Sequence, residues 1–451
     1  ISARDMRYIT LGGTGNNKAG YKEQFTGLTV NTLGFQSSII NNDYDLGNTV
    51  AHFIDSQNGD PLWTGLHSEP WDPDGGTNYV DCPQAYARKI ASQSGTLPNY
   101  SRRNDSFYFK AGLVYKMEAL NKPHNFILSA SGYSDTLTHT VKRYGVGTPP
   151  KIDVGVRIDT ADWELYDGVN SIYRVAPTLV DNCTGVFVNE LRGLSLALNN
   201  LLQLETKSGT WFKDATYVYV RLEDDSDPSL SNIDLGSNQP LNLPPYATLQ
   251  DVDVRMGKVT PGEGGLVERI NFSLSGGIDV IRSILRDSTY IGNTSFSDYG
   301  DDNFGGSGGT GIRANIEAKI YRNVIELSYI GIQIYGDSHN ALIAFNEFKN
   351  TKVNTIQISG GGTGDPLRPI VIANNTVFAS PFDSQDDPFT ISRSQPGHGF
   401  VQQLGGTPNW IFINNMMLLH FNEQIGGQSV CNLNSQINVD AVGRMDYNKY
   451  Y

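Results

Sequence analysis

A short repeat constrains this chain more than any other feature. "IYRNVIELSYIGIQIYG" (Ile320 to Gly336) aligns with "IAFNEFKNTKVNTIQISG" (Ile343 to Gly360). Ile320, Asn323 and Val324 fall on Ile343, Asn346 and Glu347, 23 residues on; Ile332-Gln333-Ile334 falls on Ile356-Gln357-Ile358, 24 residues on. Each copy holds two short β-rich runs joined by an Asn-containing bend. A repeat of roughly 20–30 residues made of short strands marks a solenoid, in which each unit buries its apolar face against the next. Ile320, Ile343, Ile372 and Phe412 extend the apolar row, and Asn323, Asn346, Asn375 and Asn415 follow three residues later each time. The expected fold is therefore all-β, a right-handed parallel β-helix with the Ile row inside. The Asn row reads as scaffold: Asn at a bend tolerates left-handed backbone, and stacked amides satisfy buried backbone groups.

Bulk properties remove several alternatives. The 451 residues are 39% hydrophobic and 18% charged, which suits neither a disordered chain nor a coiled coil. A net charge of −13 argues against a nucleic-acid partner, which would call for a basic stripe. Cys82, Cys183 and Cys431 are too few and too far apart for a disulfide framework or a zinc site, and read as buried thiols. No apolar run approaches the roughly 18 residues of a membrane span, so no membrane insertion is expected. No signal peptide is visible, and the abrupt start at Ile1 suggests that a leader or an N-terminal domain has been removed.

The chain divides into an irregular N-terminal cap region (1–105), the β-helix (106–430) and a C-terminal cap or subunit-contact segment (431–451). Within the first, Asp72-Pro73-Asp74-Gly75-Gly76 places oxygen ligands two apart around a Gly turn, like part of a calcium loop without its closing Glu. Coil spacing widens along the Asn row, to 29 residues between Asn346 and Asn375 and 40 between Asn375 and Asn415. The extra residues must leave the coil as excursions at 295–311, 360–369 and 379–409. In repeat proteins such insertions gather on one face, often the binding face.

Residues 106–155 carry a family resemblance. Phe109-Lys110-Ala111-Gly112, Ser131-Gly132, Tyr144-Gly145-Val146-Gly147 and Pro150-Lys151-Ile152 match the opening of many secreted and phage-borne β-helix proteins. The stretch from Ala161 to Asp234 is similar to the strand-rich elaboration that those proteins set into their early coils. Over roughly 106–420 the chain thus resembles the polysaccharide-active β-helix proteins, phage tailspike depolymerases and secreted polysaccharide lyases. The resemblance implies a homotrimer acting outside the cell, on a virion surface or as a secreted protein.

A rigid face with long parallel rows of side chains suits a linear polymer. Glycoside hydrolysis needs two carboxylates, about 5–5.5 Å apart for retention or about 6.5–9.5 Å for inversion. β-Elimination of a uronate needs a cation to neutralise the carboxylate and a base for the C5 proton. Glu317, Lys319 and Tyr321 alternate with Ile316, Ala318 and Ile320, which places an acid, a base and a phenol on one outward face beside Arg322. Asp337 near His339, and Arg393 and His398 on the large excursion, are further catalytic candidates. Gln333 and Gln357 read as an outward polar ladder for a glycan, with Tyr335, Tyr299 and Trp410 for sugar stacking. No cofactor is required; Ca2+ is the one metal for which ligands present themselves, at Asp72 and Asp74 or at Asp386 and Asp387.

The expected function is an extracellular polysaccharide depolymerase, hydrolase or lyase, acting on a bacterial or algal surface glycan as a tailspike body. The alternative is a non-catalytic glycan-binding adhesin or structural virion protein, since one fold serves all of these roles.

Overall fold

The computed structural model describes residues 51–55, 57, 106–116, 140–177, 183–189, 194–196, 201–237, 240–243, 245–273, 277–291, 310–326, 328, 330–336, 338–349, 351, 354–359, 368–379, 399–403, 410–419, 429–433, 442–446 and 449–450. It is nearly all β. Three long parallel sheets, of 11, 10 and 8 strands, carry the fold; the first two start at Ala51–Ile54 and Val114–Lys116, the third at Pro240–Asn242. Each successive stretch of chain adds one strand to each sheet in turn. Thr248–Gln250 joins the first sheet, Asp253–Arg255 the second and Lys258–Thr260 the third, before Leu266–Glu268 returns to the first. This is a solenoid-like arrangement. The sheets extend beyond the 106–430 span expected for the coil. Ala51–Ile54 pairs with Ser106–Lys110, and strands at Ser429–Leu433, Val442–Asp446 and Lys449–Tyr450 continue the third, first and second sheets.

The repeat read from the sequence is the register of the sheets. Ile320 pairs with Ile343, Ile343 with Ile372 and Ile372 with Phe412 in the first sheet. Val324 pairs with Glu347 in the second, and Ile332 with Ile356 in the third. All of these but Val324 and Glu347 are buried in one continuous core, joined by Val267, Leu285, Phe272, Ile325 and Phe348. Successive strand residues face opposite sides, so one apolar row per strand lines the interior and its neighbours face out. Such burial contributes roughly 1.5–3 kcal/mol per large apolar side chain.

The corners from the first sheet to the second are two residues long. The first adopts left-handed backbone, with φ between 52° and 58° at Asp251, Arg269, Asp287, Arg322, Phe345, Asn374 and Asn414. The second is buried: Val252, Ile270, Ser288, Asn323, Asn346, Asn375 and Asn415. The left-handed residue is thus the one before each Asn of the row, which corrects the expectation that the row itself supplies it. Its strain is tolerated because its N–H still bonds across to the next coil, as Arg322 N–H does to Ala344 O (3.2 Å) and Phe345 N–H to Ala373 O (3.1 Å).

The buried Asn row is a hydrogen-bonded ladder, as expected of a scaffold. Asn323 Nδ2 donates to Asn346 Oδ1 (3.0 Å), Asn346 Nδ2 to Asn375 Oδ1 (3.0 Å) and Asn375 Nδ2 to Asn415 Oδ1 (2.9 Å). Each Oδ1 also accepts the backbone N–H of the preceding rung, and each Nδ2 also donates to a carbonyl of the first sheet, Leu285, Ile320, Ile343 or Ile372. Upstream the ladder ends on the Ser288 N–H, which donates to Asn323 Oδ1. Along the same corners runs a chain of alternating charge. Asp251 pairs with Arg269, Arg269 with Glu268, Glu268 with Arg286, Arg286 with Asp287 and Asp287 with Arg322.

One block leaves the coil. Val156–Arg157, Cys183–Val188 and Ile233–Ser237 form a three-stranded antiparallel sheet, stacked on a five-stranded sheet that includes Thr210–Lys213 and Val218–Arg221. Trp211, Val218, Val220 and Leu235 build its own core. Arg157 grips Asp234 through two hydrogen bonds (2.8 and 2.9 Å), and Arg255 of the second sheet reaches the same carboxylate at 3.3 Å. Asp234 therefore ties the block to the coil. Cys183 is buried here, and burial pushes its thiol up to about 11, as expected of an inert cysteine.

The ladder carries a stability prediction. Asn346→Ala leaves the buried Asn323 N–H without its acceptor, at roughly 1–3 kcal/mol, and removes one hydrogen bond each from Asn323 Nδ2, the Ile320 carbonyl and Asn375 Oδ1, at roughly 0.5–1.5 kcal/mol apiece. Denaturant unfolding should show a loss of about 3 kcal/mol or more, against under about 1 kcal/mol for Thr376→Ala on the outer face. Equal losses for the two variants would remove the ladder from its supporting role.

Candidate functional site on the outer face of the third sheet

The third sheet presents one polar row to the outside. In its strands Ile278 and Val280, Ile312 and Ala314, Ile332 and Ile334, and Ile356 and Ile358 are buried. The alternation turns Asp279, Arg313, Gln333 and Gln357 outward between them. The four pair in register, Asp279 with Arg313, Arg313 with Gln333 and Gln333 with Gln357, and Gln402 is the backbone register partner of Gln357. At about 4.8 Å per strand, the run from Asp279 to Gln357 covers roughly 14 Å.

The row is tightly built. Lys258 Nζ binds Asp279 Oδ2 at 2.6 Å. The Arg313 guanidinium lies 5.3 Å from the centre of the Tyr335 ring. Gln333 Nε2 donates to Ser359 Oγ at 3.0 Å, and Ser359 is the register partner of Tyr335. Gln357 is only 7% exposed. Among the described residues Asp279 Oδ1 and Gln357 Oε1 are buried acceptors that receive no hydrogen bond. A buried acceptor left unfilled costs about 1–3 kcal/mol. Both belong to the polar row.

The electrostatics favour a protonated phenol. Burial and then the charge of Asp279 raise the Tyr335 pKa above its ordinary value, against opposing contributions from Asn315 and Arg313. Tyr335 is therefore equipped to donate a proton or hydrogen bond rather than to act as a base.

The long connections belong to this sheet. Residues 292–309 and 380–398 lead into third-sheet strands, and 360–369 lead out of one. The corners between the first and second sheets carry no such insertions among the described strands from Thr248 to Leu419.

The other expected site residues are placed differently. Glu317 is not on a strand: it forms the corner before the first sheet, with φ 56°, and its N–H bonds to His339 O. Lys319 and Tyr321 lie on the first sheet, a different face from Gln333. Tyr321 is 1% exposed and packs with Leu342, Ala344, Val371 and Ile411 in an apolar cluster on the sheet's outer side. Burial raises its pKa. Lys319 is half-buried between Ile284 and Leu342, and burial lowers its pKa against the pull of Glu317. Arg322 is a corner residue held by both oxygens of Asp287 (2.7 and 2.6 Å). Trp410 is wholly buried in the coil, edge-on to Phe412, and cannot stack on a sugar. Its strand is apolar on both faces, so alternation gave no warning. Gln333, Tyr335 and Gln357 do come together. Asp72, Asp74, Tyr299, Asp337, Asp386, Asp387, Arg393 and His398 lie outside the described residues. Among the described residues no group of three or more His, Cys, Asp or Glu could hold a metal ion, and no helix is long and apolar enough to cross a membrane.

Sequence reasoning passed over Lys258, Asp279 and Arg313. The signal was present: Ile278-Asp279-Val280 and Ile312-Arg313-Ala314 repeat the apolar–polar–apolar triplet of Ile332-Gln333-Ile334. Their spacing was hidden by the 292–309 connection.

A pH prediction follows from the buried phenols. Burial raises the pKa of Tyr290, Tyr321 and Tyr335 above the ordinary 10.0. Above pH 10 the unfolded chain then loses protons that the folded chain keeps, so stability is full below that pH and falls as pH rises beyond it. Thermal melts from pH 8 to 11, read beside phenolate absorbance, should show this decline, reduced in Tyr335→Phe. Complete phenol ionisation near pH 10 in the folded protein would contradict it.

No family model matches the sequence, and no curated protein matches it. Solved structures are similar to it. A structure described as XylC in complex with xylose is 11% identical, with a TM-score of 0.50 over 85% of this chain and 68% of that one. A glycoside hydrolase is 9% identical, with a TM-score of 0.47 over 89% of this chain and 96% of that one. An alginate lyase from Paenibacillus sp. str. FPU-7 is 13% identical, with a TM-score of 0.37 over 81% of this chain and 95% of that one. At 11% identity the likeness to the first of these is one of fold: a β-rich chain built on long parallel sheets.

Proposed function

We propose that the chain winds as a right-handed parallel β-helix and is an extracellular polysaccharide depolymerase that holds its substrate along the outer face of the third sheet. The observation that carries this reading is the in-register row Asp279–Arg313–Gln333–Gln357. A glycan chain is a linear array of hydroxyl groups that donate and accept. Laid across successive strands, it meets the polar side chains of the row one after another. The fold-sharing XylC structure, solved with xylose, agrees with this reading.

Both ways of breaking a glycosidic bond have parts on this face. In hydrolysis Asp279 is one carboxylate of the pair the reaction needs. In elimination Arg313 neutralises a uronate, the Asp279 carboxylate takes the C5 proton, and the Tyr335 phenol gives its proton to the departing oxygen as the C4–O bond breaks. A tailspike-type homotrimer on a virion completes the proposal. A glycan-binding protein without cleavage is the competing reading, since the row accounts for binding by itself.

The test is incubation with a panel of neutral and acidic polysaccharides. New reducing ends alone establish a hydrolase, and new reducing ends with the ultraviolet absorbance of an unsaturated uronate establish a lyase. Asp279→Asn should slow hydrolysis, or Tyr335→Phe elimination, at least about 100-fold. Lys319→Ala, on the other sheet, should stay within about twofold. Binding without cleavage across the panel would sink the enzyme reading, and sedimentation as a monomer would sink the trimer.

A further inference from the structure

The row changes character along its length. Upstream it is charged: Lys258 and Asp279 form their ion pair, and Arg313 stands on the next strand. Downstream, Gln333, Gln357 and Gln402 follow in register with no ionisable side chain among them. Tyr335 marks the boundary, its ring beside the Arg313 guanidinium and its register partner the neutral Ser359. Resting on the glycan reading above, we propose that this face is a polarised track for a linear heteropolysaccharide, seating an anionic sugar at Arg313 and Tyr335 and neutral sugars over Gln333 and Gln357.

Three physical points carry the assignment. First, a half-buried guanidinium attracts an anion more strongly than an exposed one, because less water screens the pair. The Tyr335 phenol, held protonated, donates to the same carboxylate. Second, a carboxylate set over Gln333 and Gln357 would find no cation in the row beside it. Desolvating that charge without a partner is costly, whereas a neutral hydroxyl exchanges hydrogen bonds with an amide side chain. Ser359, which accepts from Gln333, keeps its own proton for a sugar oxygen. Third, the whole chain carries a net charge of −13. A polymer acidic at every sugar is repelled by that field, while one with spaced acidic sugars needs only the local cation.

The experiment is calorimetric titration of the full chain with three sets of oligosaccharides drawn from bacterial polysaccharides: neutral, uniformly uronate, and mixed repeats of one uronate with neutral sugars. Mixed repeats should bind about tenfold tighter than either other class. Arg313→Gln should remove about that factor for mixed repeats and leave neutral oligosaccharides unchanged. Gln357→Ala should weaken mixed and neutral oligosaccharides alike. Gln333→Ala, at a half-buried position, repeats that test if Gln357→Ala fails to fold, as judged by circular dichroism. Tightest binding to uniform polyuronate, or equal binding of neutral and mixed sets with Arg313→Gln silent, overturns the polarised track while leaving a glycan-binding face. Absence of binding in all three sets overturns the glycan reading itself.

Discussion

Parallel backbone pairing from coil to coil is what everything else here depends on. Each strand's N–H and C=O groups are met by the strands before and after it, so a row of side chains is held in line by the main chain itself. The corners are where this could fail, because a two-residue turn leaves backbone groups buried without strand partners. The Asn ladder solves that problem from Asn323 to Asn415. One side chain accepts an N–H, donates to a carbonyl and bonds to its own counterpart above. Upstream, where Ile270 and Val252 take the same place, the charged corner pairs from Asp251 to Arg322 run alongside instead.

The same scaffold separates three outer faces with different chemistry. Outside the first sheet the downstream coils are apolar and excluded from solvent: Leu342, Val371 and Ile411 in one row, Ala344, Ala373 and Ile413 in the other. The second sheet carries scattered charge, with Glu347 and Lys349 paired on one strand. Among the described residues, the third alone combines a continuous polar row with the long connections. A rigid repeat makes such specialisation simple, since a substitution on one face leaves the interior rows of the other two untouched.

Much of this was legible in the sequence. The 23- and 24-residue offsets are the true register, and Ile320, Ile343, Ile372 and Phe412 stack as read. The Gln333–Gln357 pair was placed correctly, because a polar residue between two isoleucines in a strand has one direction to point. Failures came where alternation carries no information. Glu317 was read into a strand, but a corner breaks the period of two just before Lys319. Tyr321 does point outward, yet the outer side of its sheet is itself buried, which no local pattern reports. Trp410 sits in a strand apolar on both faces, where nothing in Trp-Ile-Phe-Ile distinguishes core from surface.

The sequence by itself determined the period, the inward row, the Asn scaffold and the all-β class, because each is a property of residues a fixed number of positions apart. Only the tertiary structure decided which outward residues share a face. Glu317, Lys319 and Tyr321 lie nearer in sequence to Gln333 than Asp279 does, yet they stand on another side of the solenoid, while Asp279 and Arg313 join its row. In a coil of three sheets, chain proximity places residues around the circumference. It is the pairing of strands many residues apart that lines side chains up along the axis, and an insertion such as 292–309 conceals that pairing from any reading of spacing alone.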